Sequence, residues 1–92
     1  MMRVHVSSVE DLTTVKVSGR LAEGYVPELE NCWKSAQAEH PGGRILVDLK
    51  HVTFIDDKGR FLLERMHRDG ATFAAAGLLT RAIIDKILHN EA

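Results

Sequence analysis

The sequence predicts an α/β fold: a mixed four-stranded sheet with about three helices, in the order β-β-α-β-α-β-α. Three observations carry this. Apolar residues alternate with period two through the first twenty positions, the period changes to that of a helix from about Tyr25, and the apolar run Ile45-Leu46-Val47-Asp48-Leu49 lies between two helical patterns. Two β-α-β crossovers imply parallel neighbours and right-handed connections. With 92 residues, the chain is expected to form one domain over positions 1–92. Folding at this size buries somewhat over roughly 60% of the unfolded surface, which gives an adequate but thin core.

The elements follow in order. Val4 and Val6 alternate with Arg3, His5 and Ser7, and Val15 and Val17 alternate with Thr14, Lys16 and Ser18. The short polar link from Ser8 to Leu12 makes these an antiparallel hairpin. Val26, Leu29, Trp33 and Ala36 then mark one face of a helix. Pro27 is tolerated in its first turn, Glu23, Glu28 and Glu30 favour its N-terminal end, and His40-Pro41-Gly42-Gly43 stops it. The segment Arg44 to Leu49 reads as a central strand, apolar on both faces. Val52 and Phe54-Ile55 lead into Asp56-Asp57-Lys58-Gly59, and a second helix turns Leu62, Leu63 and Met66 inward before Asp69-Gly70. Ala71 to Ala76 reads as a strand of small residues. Thr80 is placed to cap a last helix with Ala82, Ile83, Ile87 and Leu88 on its stripe, which leaves Ile84 off the stripe and exposed.

Composition excludes several classes. Twelve Lys+Arg against thirteen Asp+Glu give a net charge of -1, which argues against a nucleic-acid binder with a basic face. The longest near-continuous apolar stretch, Phe73 to Leu79, falls far short of the ~20 residues that span a bilayer. The start Met1-Met2-Arg3 runs into alternating residues instead of a secretory h-region. The single cysteine, Cys32, has no partner for an internal disulfide, and a cytoplasmic location is expected.

The search for chemistry is largely negative. The histidines His5, His40, His51, His67 and His89 have no metal-ligand spacing, so no metal and no cofactor are expected. Cys32 has no neighbouring histidine, and there is no phosphate-binding glycine loop. The loop Asp56-Asp57-Lys58-Gly59 joins a buried strand to a helix N-terminus, where α/β folds present ligands and partners. In its plainer reading Asp57 caps the helix and Asp56 ends the strand, worth ~1 kcal/mol. In its sharper reading the two carboxylates and the ammonium form a recognition knob. An acid–base pair is disfavoured because adjacent side chains leaving a strand point apart. An enzyme would have only Asp56, Asp57 and the nearby His51 to draw on, so none is expected.

The block Ile45-Leu46-Val47-Asp48-Leu49, then Val52-x-Phe54-Ile55-Asp56-x-x-Gly59, resembles the core signature of STAS domains, the sulfate-transporter and anti-sigma-factor-antagonist family. Val15-x-Val17-x-Gly19-Arg20-Leu21 is similar to that family's second strand and its exit. The resemblance runs from about Arg3 to Ile87 and implies a STAS-like, or SpoIIAA-like, fold. In the bacterial antagonists of the family, the residue after the loop Asp is phosphorylated by a partner kinase that doubles as anti-sigma factor, and phosphorylation repels that partner. Here Asp57 holds the acceptor position and Lys58 follows it, so the resemblance implies a loop that a Ser/Thr kinase cannot modify. Asp57 supplies one fixed negative charge, which crudely resembles the phosphorylated state and which Lys58 partly offsets, so the resemblance implies a locked loop, either a constitutive binder of a matched partner or a permanently off copy. Arg60 and Phe61 make the helix start bulkier than the family's usual apolar residue and second glycine.

The resemblance thus implies a non-catalytic regulatory module, similar to an anti-sigma factor antagonist, in bacterial signal transduction and transcription regulation. Its partner-binding surface would comprise Gly19, Arg20 and Leu21, the loop Asp56, Asp57, Lys58, Gly59 and Arg60, and Glu64, Arg65 and Arg68 on the second helix. The partner would be an anti-sigma factor or kinase-like ATPase. The alternatives are a subunit bracing an ABC-type lipid-transport ATPase, and a small-ligand sensor. The chain stops at Ala92, short of the family's usual last strand and helix, so a less covered surface and a homodimer or stable hetero-complex, with Ile84 and Leu88 as contacts, are also expected.

Overall fold

The computed structural model describes residues 1–89, the side chain of residue 79 apart. The last three positions of the expected domain lie outside the described residues. The elements run β1 (Met2–Val9), β2 (Leu12–Leu21), α1 (Val26–Glu39), β3 (Arg44–Ile55), α2 (Asp57–Arg68), β4 (Thr72–Ala74) and α3 (Leu78–His89), with a 3-10 turn at Glu23–Tyr25. This is the predicted order. The sheet is arranged β1-β2-β3-β4, with β1 antiparallel to β2 and the other neighbours parallel.

The β1–β2 hairpin follows from its alternating valines: Val4 pairs with Val17 and Val6 with Val15. Glu10 and Asp11 form its two-residue turn, with Glu10 in the left-handed region. That turn is tied to the start of β3, since Arg44 donates its backbone N–H to the Asp11 carbonyl at 2.8 Å and its guanidinium to the Asp11 carboxylate at 3.1 Å.

Both crossovers step the same way across the sheet, so right-handedness puts α1 and α2 on one face. There Val15, Val17, Leu21, Val47 and Leu49 meet Leu29 and Trp33 of α1 and Leu62, Leu63 and Met66 of α2, all buried. Helix α3 packs on β3 and α2. The reverse face is open: Arg3, His5 and Lys16 are exposed, and Leu46 and Asp48 are half-buried. The central position of β3 is as expected, but its burial on both faces is not, because no helix among the described residues covers this side.

Four further expectations are corrected. Strand β3 runs on to Ile55 because register shifts opposite Lys16/Ser18 and Gly19/Arg20 absorb extra residues. The buried set therefore steps from Leu49 to Val52, out of phase with simple alternation. Strand β4 spans only Thr72–Ala74, not Ala71 to Ala76. In α3, Thr80 is not the cap. The Arg81 N–H bonds to the Gly77 carbonyl, so Gly77 stands at the helix start, and the Thr80 hydroxyl donates to the Val52 carbonyl at 3.5 Å. The buried stripe of α3 is then Thr80, Ile84 and Ile87, while Ala82 and Leu88 are exposed. Ile84 is 5% exposed within its own fold, and the sequence reading that placed it on the surface as a contact between copies does not hold.

Candidate functional site

The β3–α2 loop stands at the carboxyl ends of two parallel strands, β2 and β3. Its first acid is fully engaged in structure. One Asp56 carboxylate oxygen accepts the Gly59 N–H at 2.7 Å, capping α2, and the other accepts the Glu23 N–H at 2.8 Å. The Asp56 N–H in turn donates to the Leu21 carbonyl at 3.1 Å. The expectation that Asp57 caps the helix is thus corrected: Asp56 both ends the strand and caps, because an N-cap needs extended backbone, which Asp56 has. Desolvation pushes the Asp56 carboxyl up, but the hydrogen bonds from Gly59 and Glu23 and the nearby Lys58 charge outweigh it and hold the group below the usual carboxylate range.

Gly59 locks the same junction. A Cβ there would lie 2.6 Å from the Leu21 carbonyl oxygen and 2.9 Å from the Leu21 side chain, so only glycine lets α2 approach β2 this closely. Gly19 has a comparable role. Its φ is +86°, and a Cβ would lie 2.1 Å from the carbonyl oxygen of Met1, whose carbonyl also accepts the Arg20 N–H.

The expected surface therefore divides. Leu21 is fully buried and Gly59 is buried, so neither can touch a partner. Gly19 and Asp56 are half-buried and structurally committed. The remaining residues face outward. The Asp57 side chain is 87% exposed, and Lys58 is exposed. Half-buried Arg60 lies 3.0 Å from Glu64, 3.8 Å from Asp57 and 4.9 Å above the Phe61 ring. Arg20 stacks 4.4 Å over Phe54, a contact worth ~0.5–1 kcal/mol at an exposed site. Arg65 reaches α1 to bond Glu30 at 2.7 Å, and Arg68 stays exposed.

Sequence reasoning left out two large apolar members of this surface, Phe54 at 43% and Phe61 at 52% exposure. Phe61 was legible, since it falls off the Gly59–Leu62–Leu63–Met66 stripe and must point away from the core. Phe54 was hidden by the register shift before it. Both oxygens of Asp56 hold backbone amides, so this carboxylate has a structural role, whereas Asp57 points into solvent. Among the described residues, no His/Cys/Asp/Glu group is arranged to hold a metal ion.

This architecture has counterparts among solved structures. An uncharacterised protein of the DUF3478 family from Shewanella loihica PV-4, described as having a SpoIIAA-like fold, superposes with a TM-score of 0.61 at 11% identity, over 95% of this chain and 78% of its own. The crystal structure of Mglu superposes with a TM-score of 0.60 at 20% identity over 80% of this chain, a match spanning 19% of Mglu. The chain thus has the SpoIIAA-like fold, as the STAS resemblance implied. No protein-family model and no curated protein matches the sequence.

Proposed function

We propose that this protein is a non-catalytic regulatory module that binds a protein partner through the outward side of the β3–α2 junction, in the manner of an anti-sigma factor antagonist. The observation that carries this is the division of labour within four residues. Asp56 and Gly59 make the junction rigid, and Asp57 and Lys58 project from it next to exposed Phe61. Exposed aromatic side chains beside charged ones on a fixed platform are the ingredients of a binding hot spot with a polar rim.

The switch that phosphorylation provides in the resembling antagonists is absent at Asp57, which has no hydroxyl. A phosphoserine there would bring nearly two negative charges and displace a docked partner, whereas Asp57 holds a constant charge. Asp57 carries one charge where a phosphate carries nearly two, and Lys58 beside it offsets that charge, so on this reading the module engages a matched partner without regard to kinase activity. The test is recovery of the partner from native extract on tagged protein, with and without ATP. Wild type is expected to recover the same amount in both, and Asp57→Ser to lose its partner when ATP is present. Equal behaviour of the two proteins would overturn the reading of the loop as a fixed form of that switch.

A further inference from the structure

Away from this junction, β1 is a sheet edge that is exposed along most of its length. Its pairing with β2 is unbroken over Met2–Val9, with no bulge, and the strand contains neither proline nor lysine. An eight-residue edge of this kind offers backbone donors and acceptors to an added strand.

The two faces along this edge differ in chemistry. On the helix side a hollow runs between β1 and α1, lined by Val6, Ser8, Cys32, Ser35 and Ala36. Val6 is 41% exposed. Glu39 at the rim of this hollow disfavours acidic side chains there. On the open side a second hollow is lined by Arg3, His5, Lys16 and Ser18, with His51 opposite Ser18 in register on β3. An acid on this face, Asp48, lies on β3 across from Lys16 and has Lys50 at 3.8 Å.

We infer that β1 is a docking edge for an extended acidic segment of a partner protein, which adds a fifth strand. Side chains of a strand alternate between faces. A segment alternating apolar and acidic residues would place the former against Val6 and α1 and the latter against Arg3, His5 and Lys16. Charge complementarity selects this occupant over a second copy, whose own β1 would bring another arginine and histidine to the basic face.

The test uses blocked octapeptides of alternating valine with either glutamate or lysine, titrated into the 15N-labelled protein. The glutamate peptide is expected to shift amide resonances along Arg3–Val9, and the lysine peptide to leave them unmoved. Val6→Lys should abolish the shifts. The exposed double variant Arg3→Glu with His5→Glu, whose spectrum elsewhere reports an intact fold, should reverse the preference between the peptides by about tenfold. Equal response to both peptides, shifts away from β1, or a wild-type dimer that Val6→Lys splits would each overturn the assignment, the last by giving the edge to a second copy.

Discussion

Replacing Asp56 with alanine removes two backbone hydrogen bonds at once, the Gly59 cap of α2 and the Glu23 link to the turn before α1. The expected loss is about 1–2 kcal/mol in urea unfolding at neutral pH. The same carboxylate ties stability to pH. Its value in the folded state is depressed, so its contribution is complete above the ordinary carboxylate value and disappears as the pH falls through the folded one. Asp11, held down by Arg44, and Glu30, held down by Arg65 and Lys34, act in the same direction. Urea midpoints measured from neutral pH downward should fall in the acid range, less steeply for Asp56→Asn, which keeps a capping oxygen that does not titrate. Gly59→Ala sets two effects against each other. Alanine gains at most the roughly 0.5–1 kcal/mol of a helix interior here in the first turn of α2, but its Cβ would meet the Leu21 backbone oxygen at 2.6 Å. Overpacking of that kind costs typically 1–3 kcal/mol, so net destabilisation is expected, and a variant as stable as wild type would show that the junction can relax.

At the scale of elements, α2 has two faces with opposite roles. Leu63 is fully buried against the sheet, and Leu63→Ala is expected to cost about 2–5 kcal/mol. Phe61 points outward, and Phe61→Ala should stay within about 1 kcal/mol by the same unfolding measurement while weakening partner capture. A reversal of these two stabilities would mean that the helix is rotated from its described setting. How much was legible in the sequence differs among the elements for physical reasons. The hairpin, α1 and α2 follow from patterns with a single uninterrupted period. In β3 the pattern changes phase where the register shifts, so the strand reads as a short run with a loose tail. In α3, Ile83, Ile84, Ile87 and Leu88 offer two stripes of similar hydrophobicity. The choice falls to packing on β3, where the Thr80 hydroxyl reaches the Val52 carbonyl and Ile84 is drawn inward with it. The candidate site was legible as a loop and as charges. Which acid caps was not, because Asp56 and Asp57 are both good caps and the choice falls to where the extended backbone ends, at Asp56, whose N–H still bonds the Leu21 carbonyl.

For the molecule as a whole, one rigid scaffold carries two outward surfaces: the charged and aromatic junction where β2 and β3 end, and the open β1 edge. No helix among the described residues is long and apolar enough to cross a membrane. The central claim, that the junction binds a protein, is tested most directly by quantitative mass spectrometry of what tagged protein retains from native extract. Wild type is compared with the exposed double variant Lys58→Glu with Phe61→Asp, and with Lys86→Glu on the exposed side of α3. The account predicts at least one protein retained by wild type and by Lys86→Glu but lost from the junction variant. If every retained protein survives the junction substitutions, or if wild type retains none, the claim is contradicted.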